Sequence, residues 1–492
     1  MVSEEVKGMF PHELVRHGQE GLIVDMEKSF SENKILLAHA PTGLGKTASA
    51  LAVALQQAVE KNKMVFFLTN RHTQHKIAVD TVKLINSKNG LNISVVDLIG
   101  KRWMCSQEIA NLFGSDFNEF CRSVVEKGEC DFYNNLRTKS GLTVEGKAKV
   151  GELRRLGPLN SEDITSFGKA NSMCGYELAI AMAKKAKVII GDYYYLFNPF
   201  VQTTLFNKLD ISREDVIVVV DEGHNLPTRM MDMMSNSLSS FMIKSAVMEA
   251  RKFGYKGLLF WLQELNRVLN EMAKFSKGEN ELLVGKFQFM MAVGKFVDYD
   301  ELINQIELAA DEVRKKQRKS FLGGIGSFLE AWQGGDEGFA RIISEQNGKF
   351  GPQLSLHYSC LDPSLVTRDI FSKVDAGVIM SVTLKPVFMY KELLGIGSGM
   401  GKEYPSPFPP ENRLSLVIPE TTTKFTMRSD AMYQKMANIC SDICKYVPGN
   451  VALFFPSYYL RDQVGEFFKS DKKLFWEKKN LGKEEKEEFL SK

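Results

Sequence analysis

Five short runs of the chain are apolar at nearly every position: ILLAHA (35–40), MVFFLT (64–69), KVIIGD (187–192), VIVVVDE (216–222) and AGVIMSVT (376–383). A strand wet on one face would alternate apolar with polar, so these runs predict strands covered on both faces, as parallel strands are beneath helices. Residues 35–40 lead through PTGLGKT into ASALAVALQQAVEK, whose alanines and leucines predict a helix. That succession of strand, loop and helix predicts an open α/β sheet. Between VIVVVDE and AGVIMSVT the pattern changes to a methionine-rich stretch with helical periodicity around 258–275 and a charged run NQIELAADEVRKK, which predicts a helical insertion. Residues 101 to 177 contain no long apolar run, so something other than a hydrophobic core is expected to hold them. GIGSGMGKEYPSPFPPEN reads as an interdomain linker, and NVALFFPSYYLRDQVGEFF predicts strand, turn and helix of a new α/β unit.

Composition narrows the class. At roughly 150 residues per domain the 492 residues predict about three domains. Hydrophobic residues at 44% and charged residues at 25% exclude a disordered chain, a collagen and a single coiled coil. A formal net charge of +3 is too small to mark a polyanionic partner, so any nucleic-acid site must be local. No apolar stretch approaches the roughly 18 residues of a membrane span, and the N-terminus has early acids and no apolar signal core. We therefore expect no membrane partner and a cytoplasmic location, or a nuclear one in a eukaryote. Seven cysteines, an odd number, do not form a disulfide framework. Four of them, Cys105, Cys121, Cys130 and Cys174, fall in one segment, whereas Cys360, Cys440 and Cys444 read as ordinary packing residues.

Two motifs carry chemistry. Ala40-Pro41-Thr42-Gly43-Leu44-Gly45-Lys46-Thr47 departs from G-x-x-x-x-G-K-[ST] only at its first residue. Its glycines let successive N–H groups and the next helix N-terminus point at phosphate oxygens, Lys46 brings positive charge to the β and γ phosphates, and Thr47 can ligate Mg²⁺. ATP is the expected ligand. Asp221-Glu222-Gly223-His224 ends the VIVVVDE strand, at the carboxyl edge where ligands bind in open α/β sheets. Asp221 is expected to hold Mg²⁺ through water, Glu222 to activate the attacking water, and His224 to relay nucleotide state.

DEGH resembles the DEAH box of superfamily-two helicases, and the wider pattern resembles the iron-sulfur helicases of the XPD and DinG group. Arg16 and Gln19 stand where that family has an adenine-reading R-x-x-Q motif, and Thr69 to Gln74 resembles its first DNA-contacting motif. GDYYYLFNP (191–199) resembles its N-Y-x-Y-L-x-x-P stretch, Ser381-Val382-Thr383-Leu384 with Pro386 its coupling motif, and FFPSYY (454–459) the opening of its second motor domain. Asp192, Gly223 and Val382 depart from the family's asparagine, alanine and glycine.

The resemblance implies a RecA-like motor domain of parallel sheet, interrupted by a cysteine-rich iron-sulfur insertion and a helical arch, and followed by a partial second RecA-like domain. The expected boundaries are 1–100, 178–235 and 351–404 for the first motor domain, 101–177 for the iron-sulfur domain, 236–350 for the arch and 405–492 for the second motor domain. Cys105, Cys121, Cys130 and Cys174 would hold a [4Fe-4S] cluster. Zinc is the alternative, although no closely spaced cysteine pair of the zinc-knuckle kind is present. Lys101 matches a basic position of the family. The activity implied is 5′ to 3′ unwinding by a DNA helicase that tracks on single-stranded DNA and forked duplex, in DNA repair, as a monomer with other repair proteins as further partners. The alternative is a DNA-binding scaffold or damage-verification subunit with little motor activity. The family's last motifs, with the arginine finger, are not found in the 492 residues, so we expect an incomplete second motor domain.

Overall fold

The computed structural model describes residues 1–107, 114–138, 140–273, 280–317, 320–348, 351–478, 485 and 489. The strands, in chain order, are β1 (Ile35–His39), β2 (Met64–Leu68), β3 (Val95–Leu98), β4 (Arg137–Thr138), β5 (Gly141–Leu142), β6 (Val188–Gly191) and β7 (Val216–Asp221). They continue as β8 (Asn236–Ser239), β9 (Glu281–Leu283), β10 (Phe339–Gly348), β11 (Gly351–Cys360), β12 (Ala376–Ser381) and β13 (Met400–Glu403). Seven of them form one parallel sheet in the order β13-β1-β12-β7-β2-β6-β3. Apart from the edge strand β13, the strands are covered on both faces. Ile35, Leu37, Val216, Val218 and Val220 enter one apolar core, while Leu36, Ala38, Ile217 and Val219 enter the other, against the helix Lys46–Glu60. The α/β class follows, and all five apolar runs are strands of this sheet.

Two strands of the sheet are absent from the sequence reading. β3 carries the buried Asp97, which breaks its apolar run. β13 lies inside the glycine-rich stretch read as linker; it is an edge strand with three of four residues exposed, so it has no apolar signature.

The expectation that residues 101–177 lack a hydrophobic core is corrected. Met104, Leu136, Val150, Leu153, Leu159, Ile164 and Met173 are buried in the same core as one face of the sheet. They are dispersed over short segments, including helices Val144–Arg155 and Ser161–Ala170, so no run betrays them.

The second insertion is not purely helical. Helices Ser240–Phe253, Lys256–Ala273, Lys286–Gly294, Tyr299–Lys316 and Phe321–Trp332 enclose a separate core with an antiparallel sheet of order β8-β11-β10-β9. The β10–β11 hairpin crosses the 350/351 boundary drawn from sequence, so the motor domain resumes only after Cys360. Interleaved polar residues such as Arg341, Ser344 and His357 had hidden it.

Packing divides the chain into residues 1–408 and 409–492. The second unit packs helices Asp430–Tyr446 and Tyr458–Gly465 around Tyr433, Ala437, Leu460 and Val464. Its expected strand at 451–455 is not formed, because the described residues of that unit supply no strand to pair with it. Among the described residues, no helix is long and apolar enough to cross a membrane.

Candidate functional site

The turn between β1 and the helix Lys46–Glu60 requires a backbone that only glycine adopts without strain: Gly43 has φ +85° and Gly45 φ +80°. Gly45 caps the helix without any side-chain bond, so its first N–H groups remain available to an anion. Gln19, 2% exposed, braces the loop by donating Nε2–H to the Gly45 carbonyl at 3.1 Å. Its Oε1 accepts the Arg16 N–H at 3.1 Å, and the Arg16 guanidinium donates to the Gly43 carbonyl at 3.4 Å. Leu44 is buried, Thr42 is exposed, and Thr47 is partly exposed in the first helical turn. Lys46 donates to the Pro41 carbonyl at 3.4 Å. Burial lowers its pKa, and the charges of Asp221 and Glu222 oppose that shift.

Those two carboxylates lie at the end of β7. Asp221 is 3% exposed, and burial, then the neighbouring Glu222 charge, pushes its carboxyl up to about 6. Glu222 adopts a left-handed backbone (φ +53°), a strain that a glutamate keeps only when its surroundings hold it. Tyr193 supplies part of that hold: its hydroxyl donates to the carbonyls of Asp221 at 2.6 Å and Glu222 at 3.0 Å. The Asn225 side chain donates to the Glu222 carbonyl at 3.2 Å.

His224 connects this turn to the neighbouring strand. Its Nδ1 is 3.5 Å from Glu222 Oε2 and 2.6 Å from Ser381 Oγ, on the last residue of β12. Ser381 Oγ accepts the Thr383 N–H at 3.2 Å, and its carbonyl accepts the Ala40 N–H at 3.0 Å, at the start of the phosphate loop. Adjoining strand ends thus bring the Lys46 loop, the Asp221–Glu222 pair and the His224–Ser381 contact to one sheet edge. Gly223 is fixed by packing, since a Cβ there would fall 2.3 Å from Ile379 Cγ2.

The four clustered cysteines all line a cavity of about 890 Å³ beyond β6 and β3. Cys130 and Cys174 cap the helices Asp131–Leu136 and Gly175–Ala183, and the Cys174 N–H donates to the Phe132 carbonyl at 2.8 Å. Burial raises the thiols of Cys105 and Cys121 and pushes Cys174 up to about 12. Lys101 opposes the shift at Cys121. Among the described residues, no three His, Cys, Asp or Glu side chains converge as ligands of a single ion. Four thiols on the walls of one cavity match in number the donors that a four-iron cluster or a four-coordinate zinc ion takes.

The same cavity is aromatic and carries both signs of charge, with Lys101, Arg122 and Lys208 among its walls beside Glu126, Glu177 and Asp192. Lys101 and Lys208 lie 5.2 and 5.6 Å from the Tyr176 ring centroid, and Lys208 also pairs with the buried Glu177 at 2.8 Å. Trp103 and Phe200 on its rim are largely exposed, and the Asn70 Oδ1 within it is buried without a partner among the described residues. Helix Gly114–Glu126 beside it lies against helix Tyr299–Lys316 of the second insertion. Sequence reasoning singled out the loop, the carboxylates and the cysteines. It missed the positions of Tyr193 and Asn225, whose only signal was membership of the GDYYYLFNP and DEGHN stretches.

The chain is similar to several known proteins. The DEAD_2 family matches residues 67–243. The chain is 21% identical over 550 residues to the general transcription and DNA repair factor IIH helicase subunit XPD of Schizosaccharomyces pombe, covering 93% of this chain and 70% of that one. It is 24% identical over 461 residues to the ATP-dependent DNA helicase XPD of Sulfolobus acidocaldarius, covering 92% and 74%. A solved structure of an XPD helicase superposes with a TM-score of 0.57 at 20% identity, over 98% of this chain and 79% of the other.

Proposed function

We propose that this chain, an XPD-like superfamily-two helicase, uses ATP hydrolysis to move along single-stranded DNA and part a duplex, in the 5′ to 3′ direction. The observation that carries the reading is the convergence of Lys46, Asp221, Glu222 and His224 at one sheet edge, with an aromatic cavity lined by four cysteines in the same unit.

The phosphate loop binds the triphosphate through the free N–H groups ahead of Lys46, while Arg16 and Gln19 hold the loop and border the base. Thr47 and Asp221 would hold Mg²⁺, which when bound supplies positive charge to the phosphate oxygens. Glu222 takes the proton of the attacking water, a role that its left-handed backbone and the nearby His224 orient. The His224–Ser381 contact passes the state of that turn to β12 and back to Ala40, so phosphate loop and carboxylates respond together. Cys105, Cys121, Cys130 and Cys174 would hold a [4Fe-4S] cluster that ties the insertion's loops into one wall. Lys101 and the rings of Trp103, Tyr176 and Phe200 offer phosphate charge and stacking surface to a single strand. The contact between the two insertions supports a closed path that excludes the complementary strand. Work in DNA repair or transcription is the setting this reading implies.

The test compares the wild type with Lys46→Ala in DNA-stimulated ATP hydrolysis, oligonucleotide binding and unwinding of forks with a 5′ or a 3′ tail. Lys46→Ala is expected to lower turnover by about 10² to 10³ while single-strand affinity stays within a few-fold. Unchanged turnover would remove the motor assignment. Binding without unwinding by the wild type would leave a DNA-binding scaffold.

A further inference from the structure

We propose that Tyr193 is the positioning residue that couples the strand-binding cavity to the hydrolytic carboxylates. The inference rests on the reading that a DNA strand occupies the cysteine cavity. β6 ends at Gly191, and the residues after it divide between two sites. Asp192, Tyr194 and Tyr195 line the cavity. Tyr193, between them, is 1% exposed and turns the other way, its hydroxyl donating to the carbonyls of Asp221 at 2.6 Å and Glu222 at 3.0 Å.

The segment is stiff enough to transmit a displacement. The Tyr194 N–H donates to Asp192 Oδ1 at 3.0 Å, and the Tyr195 hydroxyl donates to the Ile99 carbonyl at 2.9 Å. A Cβ on Gly191 would meet the Tyr195 ring at 2.7 Å, so strand end and ring are packed without slack. A strand pressing on Asp192, Tyr194 or Tyr195 therefore moves the Tyr193 hydroxyl as well.

The far end of the link is poised to respond. A left-handed backbone costs a glutamate about as much as one hydrogen bond returns. Loss or realignment of the Tyr193 bonds is therefore enough to shift the Glu222 turn between its left-handed form and a relaxed one. This is a two-state element on which cavity and nucleotide both act. Coupling of this kind is reciprocal: a strand that favours the aligned turn speeds hydrolysis, and bound nucleotide changes strand affinity by the same free energy.

Tyr193→Phe keeps the ring and removes only the donor. In the whole chain, kcat and KM for ATP are measured with and without saturating oligo-dT, and oligo-dT affinity with and without a non-hydrolysable ATP analogue. We expect the stimulation ratio to fall about tenfold and the effect of the analogue on affinity to shrink alike, with KM for ATP within about twofold. Asn225→Ala removes a second bond to the same carbonyl but touches no cavity wall, so it should lower basal and stimulated rates together and keep their ratio. Tyr195→Phe reads the link from the cavity side and should also lower the ratio, which covers a Tyr193→Phe chain that fails to fold. A wild-type ratio in both tyrosine variants, or an equal loss of ratio in Asn225→Ala, would overturn the coupling role. A wild type that oligo-dT does not stimulate would overturn the strand reading first, and the coupling with it.

Discussion

Asp221 keeps its proton to about pH 6 because its carboxylate is buried beside the Glu222 charge. An acid whose pKa is raised on folding binds its proton more tightly folded than unfolded. It therefore lowers stability as pH rises from about 4 to about 6, and the cost persists above that window, on the order of 1–3 kcal/mol. Asp221→Asn removes the ionisable group, so the nucleotide-free variant should melt higher than the wild type at pH 8, with a smaller gain at pH 5. If Asp221 holds the Mg²⁺ of bound nucleotide as proposed, its carboxylate must be ionised there, so wild-type Mg·ATP affinity should climb through pH 6 and flatten above it, with proton release seen by calorimetry in buffers of different ionisation enthalpy. Equal melting temperatures at pH 8 would show that ionisation costs nothing there. Gly223→Ala should lose about 1–3 kcal/mol by forcing a methyl onto Ile379, and Ile379→Ala should recover part of it, a non-additivity that urea melts detect. The phosphate loop and DEGH were legible because phosphate binding fixes residue types within a few positions. Tyr193 and the His224–Ser381 contact were not, because their bonds span 28 and 157 residues of chain and exist only once the sheet assembles.

At the scale of elements, strands were legible where burial on both faces makes every position apolar, and lost where one buried acid (Asp97) or an exposed edge (β13) removes that mark. The four cysteines of the insertion were legible as a group, and they line one cavity, but the insertion was illegible as a packed structure, since its apolar residues are dispersed over short helices. That sharing of core separates two roles. Cys130→Ser should abolish iron binding, measured by elemental analysis and visible absorbance after anaerobic purification, and open residues 101–177 to protease. DNA-stimulated ATP hydrolysis should survive within a few-fold while fork unwinding fails. Met104→Ala, by contrast, removes a side chain buried in the core of the sheet itself and should cost about 2–5 kcal/mol in global stability. Zinc without iron in the wild type would replace the cluster with a different metal and leave the wall in place.

For the whole molecule, the second insertion behaves as a body set into the motor domain. The chain enters it along β8 and leaves along β11, and these strands lie side by side with Asn236 opposite Tyr358. Its core closes on itself, with Phe289, Phe328 and Trp332 packed edge to face or tilted at centroid distances of 5.1 to 6.2 Å. The seven-stranded sheet takes none of its strands from this body. Replacing residues 237–357 by a short glycine-serine linker should therefore leave a folded motor domain, because the two ends already sit at pairing distance and little loop-closure entropy is added. The contact between helices Gly114–Glu126 and Tyr299–Lys316 would be lost, and with it the closure of the proposed strand path. The expected outcome is ATP hydrolysis within a few-fold of wild type, single-strand binding weakened and fork unwinding below detection, read beside a cooperative thermal melt. An excised chain that melts without cooperativity would show that the insertion supports the sheet. One that still unwinds forks would show that duplex parting is done by the cysteine wall and motor alone.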